Sequence, residues 1–508
     1  MNATIHEIIE THKAQIDFRT DRTQARFGEP QLTQSPVVYQ LAEKTQAVAH
    51  GGLALIHQIA LRTGLYDALN SVPVLKLHLP YKEADHLLNI AYNFLCGGTA
   101  LGHIEYRRND PVHLDMLGAH SIPDPTTTGD FCRRYSPDQI DALQEAINET
   151  RLNVWSLQGR SFFDEAVVDM DGTIAPTGGQ CKQGMDISYK GEWGYHPLVV
   201  SLAKTKEVLY VRNRSGNRPS YEDAHVYVDK CITLLKRAGF KTIRFRGDGD
   251  LTQTAHLDRW NAEGVYFTFG IDAMPNLVAI AESLENKAWK RLVRPARYDV
   301  KTTPRGRREN VKDRIVEERE FLKLELHHED VAEVEYRPGK CKKAYRLVIL
   351  RKTITVKKGQ KLLLPEIRYF FYLTNDDVRT PEEVVFDAND RCDQENLIGV
   401  LKSGMNAMRM PLDNLSGNWA YLVAASLAWT LKSWAALVLP ADGRKPKEVA
   451  TKKRLLGMEF ATFLQALVTI PAQVLQSGRR IIVRLLSVNS WTETFFRLYD
   501  VLRRPLLE

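Results

Sequence analysis

Val167-Val168-Asp169-Met170-Asp171-Gly172-Thr173 reads as an apolar strand that runs into two aspartates. Side chains alternate along a strand, so Asp169 and Asp171 share one face. A buried carboxylate pair is costly unless a cation neutralises it, and a divalent metal is the usual partner. The plain alternative is a turn in which Asp and Gly simply end a strand. Either aspartate could be the ligand.

Working outward, the pattern predicts a strand over Phe163–Met170, a second over Tyr195–Leu202 and a third over Glu207–Arg212. A helix is predicted over Tyr221–Ala238. Ser220 with Asp223 makes its capping signal, Val228, Ile232 and Leu235 form its apolar stripe, and Gly239 stops it. Lys241–Arg246 is the fourth strand. Three strands, a helix and a strand is the opening order of an RNase H-like domain. In such a sheet the ends of the first and fourth strands lie side by side. Asp248, in Arg244-Phe-Arg-Gly-Asp-Gly-Asp250, would then meet Asp171, with Asp250 as a lesser competitor. The flanking glycines let backbone approach a metal or phosphate closely.

A third acid lies in Asp390-Arg-Cys-Asp-Gln-Glu-Asn-Leu-Ile-Gly-Val-Leu-Lys402. On one α-helix, Arg391, Glu395 and Lys402 fall within roughly 40° of a single face. Alone this is a surface Arg–Glu pair. Its position after the apolar strand Tyr369–Thr374 makes it the element to deliver a third carboxylate. Three carboxylates from two strands and a helix can hold two magnesium ions for in-line phosphodiester chemistry.

The rest of the chain is consistent with a DNA partner. The 508 residues are 44% apolar and 26% charged, an ordinary globular composition for two to four domains. Net charge is +7. Eleven Lys/Arg fall between Lys287 and Arg314, including Arg305, Arg307 and Arg308, and ten more between Arg337 and Lys361. Clustered cations neutralise phosphates. Ile122–Tyr135 carries a helix-start signal that would put Arg133 and Arg134 on a new helix, in a helix-turn-helix-like element. The six cysteines form no Cys-x-x-Cys pair and none sits beside a histidine at zinc spacing, so neither a zinc site nor disulfides are expected. The N-terminus lacks a signal peptide. The apolar stretch Trp419–Leu439 contains Lys432 and reads as a buried helix, not a membrane span. A cytoplasmic, nucleoid-associated protein is expected.

At these motifs the sequence resembles the transposases of bacterial insertion sequences, of the DDE domain group 1 type. The matching blocks are Asp169-Met-Asp-Gly-Thr with Gly179-Gln180, Gly194-Tyr-His-Pro-Leu198, Ile243-Arg-Phe-Arg-Gly-Asp248, and Arg391-x3-Glu395-x6-Lys402. Similarity also covers Ala49-His-Gly-Gly-Leu, Pro123–Tyr135 and Asn418-Trp-Ala-Tyr-Leu. The resemblance implies Asp171, Asp248 and Glu395 as the catalytic, metal-binding triad, with Arg391 and Lys402 as phosphate contacts. It implies Mg2+, replaceable by Mn2+, and double-stranded DNA as both transposon ends and target. It further implies a homodimer in the synaptic complex. The signature tyrosine is absent, since Ala388 stands in its place.

The expected fold is an α/β, RNase H-like core with a mixed five-stranded sheet. Its parts are a helical DNA-end-binding region over 1–155, core over 156–264, a basic β-rich insertion over 265–365, core with the glutamate helix over 366–410, and a helical region over 411–508. The expected activity is metal-dependent cleavage and strand transfer at terminal inverted repeats. One alternative is a domesticated relative that binds DNA without cutting it. Another is a haloacid dehalogenase-like phosphatase using Asp169 and Asp171. Against the second, Gly247-Asp-Gly-Asp-Leu-Thr252 has threonine where that family needs a further aspartate.

Overall fold

The computed structural model describes residues 3–24, 37–40, 46–76, 80–294, 311, 324–357, 360–478, 480–504 and 506. The chain forms two compact units built from separated segments. One holds Met1–Phe162, Gly172–Arg218 and Asn396–Glu508; the other holds Phe163–Asp171 and Pro219–Glu395.

The second unit is a mixed sheet with helices. Its elements in chain order are β1 (Glu165–Gly172), α1 (Ala224–Ala238), β2 (Thr242–Gly247), α2 (Leu257–Ala262), β3 (Tyr266–Ile271) and α3 (Pro275–Ser283). There follow β4 (Lys290–Arg291), β5 (Leu324–Tyr336), β6 (Tyr345–Lys357), β7 (Gln360–Thr374), α4 (Pro381–Asn389) and α5 (Cys392–Gly399). The strand order is β4-β5-β6-β7-β3-β2-β1. β1, β2 and β3 run parallel, as the first and fourth strands of the expected core should. The remaining neighbours are antiparallel.

Local chemistry explains the parallel half. Ala166, Val168 and Met170 on one face of β1, and Ile243 and Phe245 of β2, are buried. α1 buries Tyr227, Val228, Cys231, Ile232, Leu234 and Leu235 and stops at Gly239, whose φ of 89° suits a residue without Cβ. The helix starts at Ala224, three residues later than the capping pattern suggests. Asp223 occupies the N-cap position at φ 60° and makes no side-chain cap there.

The β-rich segment departs from the sequence reading in two respects: β3, expected inside the 265–365 insertion, pairs in parallel with β2 of the core. In addition, Tyr369–Thr374 is not a separate strand but the end of the 15-residue β7. Only Phe371–Thr374 of β7 pairs with β3, whereas its pairing with β6 runs almost its full length. The ribbon β5-β6-β7 therefore grows out of the sheet without a break. Leu292, Val331, Val348, Leu350, Val384 and Val385 form a core under it, and through the two valines α4 is seated on β5 and β6.

The first unit is mainly helical. Its axis is Leu415–Val438, long and apolar enough to cross a membrane by composition but buried from Gly417 to Val438. Against it pack the helices Glu83–Leu95 and Pro137–Ser156 and the strand Glu207–Arg212. Glu207 of that strand is fully buried, and Arg151, Trp155 and Trp434 donate to its carboxylate at 3.0, 2.9 and 2.7 Å. A buried charge is tolerable when its lone pairs are filled in this way. Leu198–Leu202 pairs antiparallel with Glu207–Arg212. The predicted strand Tyr195–Leu202 is split into Trp193–Tyr195 and Leu198–Leu202, with Pro197, which lacks an N–H, between them.

Candidate active site

Parallel pairing of β1 with β2 sets Asp169 opposite Arg246. Two residues further along both chains come Asp171 and Asp248. Neighbouring strands lie about 4.8 Å apart, so the two carboxylates leave the sheet at the same end of adjacent strands. Asp171 is at the half-buried end of β1. Asp248 begins the short 3-10 turn Gly249–Leu251, whose Leu251 N–H donates to the Asp248 carbonyl at 3.2 Å. At Gly249 a Cβ would stand 2.7 Å from Asp272 Oδ1, so the turn brings a further carboxylate beside it.

The two aspartates of the opening motif differ sharply. Asp169 is 1% exposed, and Arg246 donates to both of its oxygens, Nε to Oδ1 at 2.7 Å and Nη2 to Oδ2 at 2.9 Å. Burial pushes this carboxyl up from its ordinary range, with the Arg246 bonds working against that. The cation that neutralises Asp169 is thus an arginine, not a metal. The same guanidinium reaches Asp387 Oδ1 of α4 at 3.2 Å. Asp387 Oδ2 in turn meets Arg379 at 2.8 Å. Arg379 pairs with Glu165 at 3.3 Å, and Arg244 joins Glu165 and Asp376 at 3.3 and 2.7 Å. This network ties β1 and β2 to α4, the helix immediately before the one that carries Glu395.

Arg391 connects two of the three acids. Its Nη1 lies 3.2 Å from Asp171 Oδ2 and its Nη2 3.7 Å from Glu395 Oε1. The Glu395 side chain is 61% exposed, so a polyanion can reach it. Glu395 lies on α5, but Arg391, Glu395 and Lys402 do not share one regular α-helix. Arg391 precedes α5, and Val400–Gly404 is a π-helical turn closed by Met405 N–H to the Val400 carbonyl at 2.7 Å. The wider turn re-aims Lys402, whose Nζ lies 3.4 Å from Thr173 Oγ1 within the helical unit.

All three acids are oxygen donors, as a hard dication requires. Asp171 and Asp248 come from adjacent strand ends, and Asp171 and Glu395 already share one cationic partner. In donor type the residues fit a divalent ion, although among the described residues the three carboxylates are not gathered at metal-binding distance.

The other predicted residues are placed as follows. The helix expected from the Pro125 signal is present but ends at Cys132, so Arg133, its C-cap, and Arg134 lie in the turn just past it. The second helix, Pro137–Ser156, begins only after Ser136, which caps it. Arg133 is paired with Asp130 and Asp413, each at 2.7 Å, while Arg134 is exposed. Arg305, Arg307 and Arg308 lie outside the described residues. In the second basic run, Arg337, Lys340, Lys342 and Lys343 are exposed around the β5–β6 turn. Arg351 and Lys352 are instead paired with Asp330 and Glu329.

Sequence reasoning missed Arg246, Arg379, Asp387 and Asp272. A signal for the first was present. Arg244 and Arg246 alternate with Ile243 and Phe245 on a central strand, so they must find acids across the pairing.

No curated protein matches the chain. Among solved structures the chain is similar to one described as the cryo-EM structure of the piggyBac transposase synaptic complex with hairpin DNA. Identity is 10% and the TM-score 0.35, over 91% of this chain and 86% of that one. The model of the family described as transposase DDE domain group 1 matches residues 32–506, nearly the whole length, and the chain belongs to that family of transposases.

Proposed function

We propose that this transposase binds the terminal inverted repeats of an insertion sequence and cuts and joins DNA there through Asp171, Asp248 and Glu395. The observation that carries the reading is Arg391, which links Asp171 to Glu395 beside the strand end from which Asp248 emerges. Bound at these carboxylates, Mg2+ or Mn2+ would supply a Lewis acid and an activated water or 3′-hydroxyl for in-line attack at phosphorus. In the free protein Arg391 neutralises Asp171 and Glu395. A DNA phosphate competes for its guanidinium and is oriented by it; Lys402 of the helical unit is assigned to DNA phosphate as well. Arg246 holds Asp169 so that β1 keeps its position relative to β2 and α4.

Arg337, Lys340, Lys342 and Lys343 of the β5–β6 turn are assigned to the DNA backbone, and so, from the sequence, are Arg305, Arg307, Arg308, Arg133 and Arg134. Two ends brought together call for a homodimeric synapse, and a DNA substrate goes with a cytoplasmic, nucleoid-associated protein. The phosphatase alternative loses its nucleophile, because both Asp169 oxygens are held by Arg246 in a buried site.

The test is cleavage of a labelled duplex carrying the element's own end, with Mg2+ or Mn2+. Wild type should nick at the end, and Asp248→Ala and Glu395→Ala should bind without nicking. Tight binding by the wild type without cleavage, with two ends supplied, would favour a domesticated DNA-binding protein. Phosphate-ester turnover lost in Asp169→Ala, without DNA binding, would overturn the reading.

A further inference from the structure

The helical unit gathers three soft or borderline donors from separate segments. His50 lies just before the helix Leu53–Arg62, Cys96 ends the helix Glu83–Leu95, and His113 is on Pro111–Leu117. One ligand atom from each falls within 4.8 Å of the others. His50 Nε2 and His113 Nδ1 are 2.8 Å apart and share a proton between two imidazoles. None of the three serves the carboxylate site or the proposed DNA contacts. We propose that His50, Cys96 and His113 form a second metal site, for a zinc-class dication with two imidazoles and one thiolate as ligands.

The geometry is near what such an ion needs. Zn–N and Zn–S bonds of about 2.0–2.1 and 2.3 Å at tetrahedral angles set ligand atoms about 3.3–3.6 Å apart. The imidazole nitrogens must open by several tenths of an ångström as the dication replaces the proton they share. Two imidazoles and a thiolate suit zinc and not magnesium, so the site is chemically distinct from the one built of carboxylates.

The surroundings fix the ligands. Gly51 and Gly52 donate to the Ile470 and Val468 carbonyls at 2.9 and 3.1 Å, anchoring the backbone next to His50. At Gly52 a Cβ would stand 1.7 Å from the Leu467 carbonyl oxygen, so no other residue allows that approach. His113 is 2% exposed, and the N-terminus of its helix is capped by Asp110, which accepts from the Val112 and His113 N–H groups at 2.9 and 3.2 Å.

Arg107 donates to the Cys96 carbonyl and opposes a dication by charge; Asp110 acts the other way on His50. The site leaves a fourth position for water. Its bound ion would pin three segments of the helical unit.

The test uses the full chain, stripped of metal and titrated with Co2+ without DNA. A Co2+ ion held by sulfur and nitrogen absorbs intensely in the visible and shows thiolate charge transfer in the near ultraviolet; carboxylate-held Co2+ does neither. The expected result is one equivalent of such a complex, displaced by Zn2+, retained in Asp248→Ala and lost in Cys96→Ser. His50→Gln should change the visible bands while keeping the far-ultraviolet circular dichroism. No charge-transfer band in the wild type, or one that survives Cys96→Ser, overturns the proposal. Because the readout involves neither DNA nor cleavage, it is independent of the transposition assay.

Discussion

At the scale of single residues, the distinction between Asp169 and Asp171 matters most. The motif names both, and strand alternation puts both on one face. Only the partner across the sheet separates them: Arg246 takes Asp169, and Asp171 is left at the strand end beside Arg391. Arg246→Ala would strand a buried carboxylate, and should cost about 3–5 kcal/mol of stability in urea unfolding. Asp169→Asn in the same chain should recover part of that loss. Arg391→Ala removes the partner of the half-buried Asp171 and should cost about 1–3 kcal/mol of stability. End cleavage should also fall at least about tenfold, with Arg391→Lys rescuing little because a point charge cannot span two carboxylates. His86 gives a pH test of the helical unit. Burial and stacking on Phe131 accompany a pKa pushed down to about 4, against about 6.5 in the unfolded chain. Below pH of about 6.5 the unfolded chain takes up a proton that the folded unit refuses. His86 stability is therefore complete above that pH and is lost as pH falls toward about 4. Thermal melts of wild type against His86→Phe should diverge in that window; parallel melts would show that His86 contributes nothing.

At the scale of elements, the sequence located the strands well and their ends poorly. Glu207–Arg212 lies where the alternation puts it, whereas the strand before it is broken at Pro197 and α1 starts late. The glutamate helix is the instructive case. A 100° periodicity places Arg391, Glu395 and Lys402 on one face, but Lys402 lies inside the π turn Val400–Gly404. Such turns are single-residue widenings of an α-helix and occur often at functional sites. Deleting Gly404 should restore α-helical register and rotate Lys402 away from Thr173. The expected outcome is weaker cleavage with a melting temperature unchanged or raised; a large loss of stability would mean that the turn serves packing alone. The ribbon β5-β6-β7 was legible as β structure with basic residues. That its last strand is also a core strand was not, since no residue type marks the point where pairing passes from β6 alone to β6 and β3.

At the scale of the whole molecule, net charge and its clustering make a prediction about DNA affinity. The logarithm of the affinity should fall linearly with the logarithm of salt concentration, by about 0.9 for each phosphate neutralised. Replacing Lys340, Lys342 and Lys343 with alanine should lower that slope by about one per lost contact and weaken binding to all sequences alike. An unchanged slope would remove the β5–β6 turn from the DNA surface. Local sequence determined a good deal about this protein. Strand alternation, helical stripes and the ordered acidic blocks were enough to give an α/β core, a buried helix over Trp419–Leu439, membership of a transposase family and three candidate acids. These are properties of spacing along the chain, and spacing survives in sequence. What only the tertiary structure decided is which groups meet. Arg246 chooses Asp169, Asp272 comes beside Gly249, and His50, Cys96 and His113 converge from three helical segments. Each of these contacts joins parts of the chain far apart in sequence, and the energy of a buried charge or a ligand cluster depends on partners supplied by packing, not on the residues beside it in the chain.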